Sequence, residues 1–203
     1  DDMRAGIDLL DELVQTLLAT SPAVRTTYAD AFNRSLSIDP HIATIDELAA
    51  AAKRAGVSVP AAMLTDHRDE WRNLLLAMRV ELQLGRDRPE IVYHYPASQA
   101  SLAKVIRTEA GYEVAERFEL YYRGIELANG FHELCDATEQ RRRFEAVNAA
   151  RVASGREALP LPESFLAALA EGLPPCTGVA LGFDRLLMVA LGLNTIHVGT
   201  GDA

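Results

Sequence analysis

The sequence predicts an α+β fold, an antiparallel sheet with helices packed against it. Three observations carry that prediction. Residues 1–88 show mostly helical periodicity, and residues 89–203 open with a β-rich run, Ile91-Val-Tyr-His-Tyr95. Alternating residues from Glu113 to Asn129 are interrupted by Arg123-Gly124, a tight-turn pair, which reads as a hairpin. Helical segments come before and after these strands, and strictly alternating βαβ units are missing, which disfavours a Rossmann-type sheet.

The elements follow in order. Met3, Ile7, Leu10, Leu13, Val14 and Leu17 recur at helical spacing, and Ser21-Pro22 ends that helix. Tyr28 to Leu36 reads as a short second helix, stopped before Pro40. Thr44-Ile-Asp-Glu47 is a capping-box pattern that opens a third, ended by Gly56. Asp66 to Leu84 reads as one long helix with Trp71, Leu74, Leu75 and Met78 on its apolar side and Gly85 as terminator. Pro96 stops the first strand. Asp136-Ala-Thr-Glu139 is a second capping-box pattern, followed by a charged helix to about Ala153 and a loop from Gly155 to Pro160. Pro162 opens another helix, closed by Gly172 and Pro174. Thr177 to Leu181 reads as a buried strand, and Phe183 to Leu191 as a helix capped by Gly192.

Composition narrows the function. The 203 residues suit one domain, or one domain and part of another, with 49% hydrophobic and 24% charged residues, enough for a real core. The net charge of −9 gives no general electrostatic help with nucleic acid and would suit a basic protein partner. Cys135 and Cys176 form no CxxC pair, so a zinc site is not expected, and both fit buried thiols in a reducing, cytoplasmic compartment. No apolar run is long enough to span a membrane.

The hairpin carries the chemistry. If Arg123-Gly124 is a two-residue turn, Tyr122 opposes Ile125 and Tyr121 opposes Glu126. Glu119 shares a face with Tyr121. Glu119 and Glu126 are then diagonal neighbours roughly 7 Å apart. Two such carboxylates repel unless a cation lies between them, and magnesium, which takes hard oxygen ligands and phosphate oxygens, is the natural candidate. Asn129 is out of phase with Glu126, so a bulge or the strand end at Gly130 would have to re-aim it. On spacing alone, a solvated hairpin face carrying Glu and Arg remains open. The second signal is Gly178-Val-Ala-Leu-Gly182-Phe-Asp-Arg185, a strand, a glycine and a helix start with an arginine in its first turn. A helix N-terminus favours anions, and Arg185 adds bidentate donors. Arg185 could equally pair with an acidic neighbour. His132 reads as local packing, His94 as a hydrogen-bonded core residue, Trp71 as core and Arg141 to Arg143 as a solvated helix face.

Taken together, GVALGFDRLLMVALG and ERFELYYRGIELANGFHELCDATEQRRRFE resemble motif 3 and the segment before it in class II aminoacyl-tRNA synthetases of the lysine-specific type. YHYPASQASLAK, LPPCTGVALGFDRLLMVALG and AFNRSLSIDPH are similar to the lysyl-tRNA synthetase paralogues that modify elongation factor P. The resemblance runs from about Asp2 to about His197. It implies that an amino acid, lysine or (R)-β-lysine, is activated with ATP and Mg²⁺ and passed to elongation factor P. By position it implies Glu119 and Glu126 as carboxylates that bind ATP through magnesium, Leu127 and Gly182 beside the nucleotide, and Arg185 as the motif 3 arginine that stacks on adenine and reaches the γ-phosphate. It implies Asn129 near the amino-acid carboxylate and Glu133 as the acid that holds the side-chain ammonium. Ala180 stands where lysyl-tRNA synthetases usually carry glycine, and the paralogues carry alanine. Its methyl would reshape the pocket in favour of a β-amino acid. The resemblance places motifs 1 and 2 outside this chain. An incomplete sheet with exposed edges, limited activity of this piece alone and a homodimer at full length are therefore expected. A lysine–tRNA ligase domain and a non-catalytic paralogue are the alternatives, and tRNA binding is disfavoured by the acidic charge. After Asn194-Thr-Ile-His197 the resemblance implies a β-like segment ending in arginine, where this chain reads VGTGDA.

Overall fold

The computed structural model describes residues 1–193, 195 and 196. The implied strand after Asn194 lies outside them. Helix α1 (Met3–Leu18) buries Met3, Ile7, Leu10 and Val14, with Asp2 as N-cap. Leu13 and Leu17, expected on the same stripe, are 41% and 50% exposed, so the buried arc is narrower than the periodicity implied. Strand β1 (Val24–Thr27) follows, then α2 (Tyr28–Leu36) and α3 (Ile45–Arg54), whose Thr44–Glu47 capping box forms in both directions. The expected long helix is broken. Helix α4 (Arg68–Leu75) passes into a π-turn over Leu76–Val80 and a 3₁₀ turn over Glu81–Gln83. A π-turn inserts an extra residue into the helical repeat, which rotates Met78 out to solvent at 48% exposure.

The sheet contains β2 (Glu90–Pro96), β3 (Val105–Arg107), β4 (Glu113–Tyr122), β5 (Ile125–His132) and β6 (Thr177–Leu181) besides β1. Its order is β1-β2-β4-β5-β6, with β3 also on β4. The sheet is mixed, not purely antiparallel, because β1 runs parallel to β2. Sequence gave no sign of β1 or β3; at four and three residues they are too short to show alternation. Helix α5 (Ala137–Ala153) packs on α6 (Glu163–Glu171), and α7 (Phe183–Ala190) follows β6. At the start of α5 only half of the expected box forms. Asp136 accepts from Thr138 and Glu139 N–H, while the Glu139 carboxylate pairs with Arg142 and Arg143.

Two cores lie on opposite faces. On one, Tyr28, Phe32, Leu48, Trp71 and Leu75 from α2–α4 pack with Val92, Tyr95 and Tyr121. On the other, Met3, Ile7, Leu10 and Val14 of α1 and Leu186, Met188 and Val189 of α7 pack with Phe118, Leu120 and Leu127. Helix α2 covers β1 and β2. Strand β6 was expected to be buried. It forms the outer end of the sheet among the described residues, with Val179 39% exposed and Ala180 exposed.

Candidate active site

The hairpin turn is Arg123-Gly124, both in the left-handed region at φ 55° and 74°. Two successive positive φ values make the type I′ geometry that matches strand twist. The register then runs Tyr122↔Ile125 and Tyr121↔Glu126, as the two-residue turn requires. Next it slips. Leu120 pairs with Ala128 and Glu119 with Asn129, leaving Leu127 as the extra residue of a β-bulge. The bulge resolves the phase problem, because Asn129 now joins Glu126 and Glu119 on one face. The Leu127 side chain turns into the core, 1% exposed, while its carbonyl accepts the Gly182 N–H at 2.8 Å. Leu127 therefore offers the site only backbone.

Glu119 is 4% exposed and wrapped by donors. Its Oε2 accepts the hydroxyls of Tyr95 and Tyr121, each at 2.5 Å. Its Oε1 accepts from the Arg117 guanidinium and from Asn129 Nδ2 at 3.2 Å. Arg117 lies over the rings of Tyr95 at 4.8 Å and Phe131 at 5.9 Å and donates to the Gln99 carbonyl. Glu81 joins from the turn after α4, its Oε1 3.4 Å from the Tyr121 hydroxyl. The hairpin turn fixes that segment, since Arg123 and Gly124 N–H bond the carbonyls of Gly85 and Leu84 at 2.7 and 2.9 Å. Burial, then the charges of Glu119 and Glu126, raise the Glu81 carboxyl above its ordinary value. Burial and Glu119 raise Glu126 likewise, opposed by Arg185 and Arg117.

Arg185 lies across from this cluster. Its Nη1 donates to the Glu126 carbonyl at 3.0 Å and lies 3.5 Å from Glu126 Oε2. The acidic pairing left open by sequence is thus present, in the same place as the anion-favouring feature. Helix α7 starts after Gly182 with no side-chain cap among the described residues, an N-terminus whose first N–H groups can face an anion. A cleft of about 360 Å³ lies between Glu126, Asn129, Ala180, Gly182, Phe183 and Arg185. Asn129 Oδ1 is buried and has no hydrogen-bond partner among the described residues. A larger cavity of about 850 Å³, beside α5, shares none of these residues.

Ala180 pairs with Asn129 and Gly178 with Phe131. Glu133 follows beyond β5 on the same face, bridged to Ala103, with its N–H on the Cys176 carbonyl at 3.0 Å. Four residues of strand separate it from Asn129, about 13 Å. Burial raises the Glu133 carboxyl, opposed by the charge of His132. Among the described residues this half-buried acid has no paired Lys or Arg, and an incoming ammonium would offset its desolvation.

His132 is packed away on the other face, its Nδ1 2.6 Å from Glu116 Oε2. His94 is not a core residue. It is half-buried at the β2 bulge, with φ 62°, and lines an open cavity. Trp71 is core, at 5%. Arg141 and Arg142 are solvated, whereas Arg143 is fixed by the Ser101 and Ala103 carbonyls. Cys135 and Cys176 are half-buried free thiols. Sequence reading placed Tyr121 on the Glu119 face without giving it a role, and it missed Glu81, Tyr95, Arg117 and the part played by Gly178. Strand alternation could have found Arg117, two residues before Glu119. Nothing local links Glu81 to the hairpin.

Among the described residues no helix is long and apolar enough to cross a membrane. Nor does any group of three or more His, Cys, Asp or Glu side chains there form a metal cage. A cation here would need ligand oxygens from a phosphate, the usual state of magnesium in nucleotide sites.

The chain is 49% identical over 195 residues to the elongation factor P–(R)-β-lysine ligase of Klebsiella pneumoniae (strain 342) and 48% identical to that of Salmonella dublin. Each match covers 96% of this chain and 59% of the relative, so the chain spans about three fifths of their length. The family model of the tRNA synthetases class II (D, K and N) matches residues 3–198. The chain belongs to the class II tRNA synthetase family, in its aspartate, lysine and asparagine group.

Proposed function

We propose that the protein carrying this chain activates lysine or (R)-β-lysine with ATP and transfers it to a lysine of elongation factor P. The observation that carries this reading is the bulged register, which brings Asn129, Glu126 and Arg185 round one cleft, with buried Glu119 bonded to Asn129 behind it, while Glu133 stays about 13 Å from Asn129 on the same face. A phosphate end and an ammonium end are thereby separated. The site fits a cation and a nucleotide. Among the described residues Glu81, Glu119 and Glu126 are faced by Arg117 and Arg185, leaving a net negative charge, and Asn129 Oδ1 has no partner. Glu126 and Glu81 have the freer oxygens, whereas Glu119 already takes four donors. Magnesium held there would neutralise phosphate charge.

The chain's own groups would work by positioning. The free N–H groups of α7 and Arg185 hold phosphate oxygens. Asn129 orients the amino-acid head and Glu133 its ammonium. The substrate carboxylate oxygen attacks the α-phosphorus and pyrophosphate leaves, giving the aminoacyl-adenylate. The acceptor amine, in its neutral form, then attacks the carbonyl carbon, the acyl–phosphate C–O bond breaks, AMP leaves and the amine's surplus proton passes to solvent. Little acid–base work is required of the protein.

The test is amino-acid-dependent exchange of pyrophosphate into ATP with the full-length protein, followed by mass analysis of elongation factor P. Exchange with (R)-β-lysine and a mass gain of one lysyl unit are expected. Charging of tRNA without that mass gain would turn the reading to a tRNA ligase, and no exchange with either lysine would end it.

A further inference from the structure

Glu133 and Gly178 are diagonal neighbours on adjoining strands, since Phe131 pairs with Gly178 and His132 with Thr177. The carboxylate of Glu133 lies directly over the Gly178 backbone. A Cβ on Gly178 would overlap Oε1 of Glu133 and come within 3.4 Å of its Cδ. Gly178 has no positive φ, so turn geometry does not demand a glycine there. The space above it is what the position supplies.

We propose that Gly178 is a specificity-determining residue of the amino-acid site: by carrying no side chain it sets how far Glu133 lies down on the sheet, and so the length of diamino acid accepted. This rests on the reading that Glu133 receives the substrate ammonium. The backbone of Glu133 cannot slide, because its N–H is held by the Cys176 carbonyl and its strand is bridged to Ala103. Only the side chain is free to move. The floor between the two ends is Ala180 beside Asn129 and Gly178 beside Phe131. The Phe131 ring is flanked by the Arg117 guanidinium. A chain of methylenes can lie against that ring, with its carboxyl end at Asn129 and its ammonium at Glu133. A methyl at position 178 would lift the carboxylate off the floor and shorten the span.

The test uses Gly178→Ala in the full-length protein, with pyrophosphate exchange measured for lysine, (R)-β-lysine and ornithine, which is one methylene shorter than lysine. The KM for lysine should rise roughly 10- to 100-fold, the scale of an ångström-sized misplacement. The KM for ATP should stay within about twofold, and the lysine-to-ornithine ratio of kcat/KM should fall. Adding Glu133→Asp to Gly178→Ala removes the overlap and should recover part of the lysine KM, a non-additivity that a merely structural glycine would not produce. If Gly178→Ala does not fold, Glu133→Asp alone reads the same span, because it withdraws the carboxylate and should shift preference toward homolysine. Wild-type exchange with lysine but no change in KM or chain-length order in these variants overturns the inference alone. Wild-type protein without exchange for any of these amino acids overturns the activation reading and the inference with it.

Discussion

Asn129 stands directly across the strand pair from Glu119, with Nδ2 3.2 Å from Oε1. That pairing exists because Leu127 is an extra residue between Glu126 and Asn129. Three positions with incompatible phases on a regular strand thus share one face. Glu119 is the hub, since its two oxygens accept from Tyr95, Tyr121, Arg117 and Asn129.

Glu119→Gln should therefore act on stability as well as chemistry. The amide cannot serve Arg117 and Asn129 as a charged acceptor, and the Arg117 side chain is only 21% exposed. A loss of about 2 kcal/mol is expected, the size of a hydrogen bond to a charged group. Urea unfolding would register it. Exchange activity should drop at least about 100-fold.

Ala180 lies beside Asn129 on β6. Removing its methyl enlarges the head end of the amino-acid site. Ala180→Gly should raise kcat/KM for α-lysine relative to (R)-β-lysine. An unchanged ratio would sink the idea that this methyl selects between them.

Gly130 lies beneath the Phe118 ring, where an added Cβ would come within 2.6 Å of Cε2. Phe118 is fully buried and cannot yield. Gly130→Ala should cost about 1–3 kcal/mol through overpacking, read as a lower thermal midpoint.

His41 is stacked on Tyr112 at 4.7 Å, and burial depresses its pKa from 6.5 to about 4. The unfolded chain therefore binds a proton that the folded one refuses. Stability present above pH 6.5 should be lost as pH falls toward about 4. Burial of His94 acts in the same direction. His41→Phe should flatten part of that slope in unfolding curves taken across the window, and an unaltered slope would remove His41 from the account.

Much of this was legible locally. The hairpin register near its turn follows from Arg123-Gly124, because two residues with positive φ allow only one short connection. The caps at Asp2 and Thr44, the amphipathic α1 and α2, and the strand-to-helix passage through Gly182 are likewise written in short stretches. Such features depend on neighbours within about four residues, where side-chain chemistry and backbone preference act directly. The carboxylate hairpin and Arg185 could be named as candidates for the same reason.

The sequence by itself determined most of the helices, the strands β2, β4, β5 and β6, the turn that aligns Tyr121 with Glu126, and the residue kinds at the hairpin and at Arg185. The tertiary structure decided the parallel pairing of β1, the break after α4 that brings Glu81 to Tyr121, the side on which Asn129 emerges, and the seating of the Glu133 carboxylate over Gly178. Each of these depends on contacts between segments distant in the chain. Short strands gain their hydrogen bonds only from a neighbour, and a bulge is settled by which face gains more burial and pairing, so neither has a local signature.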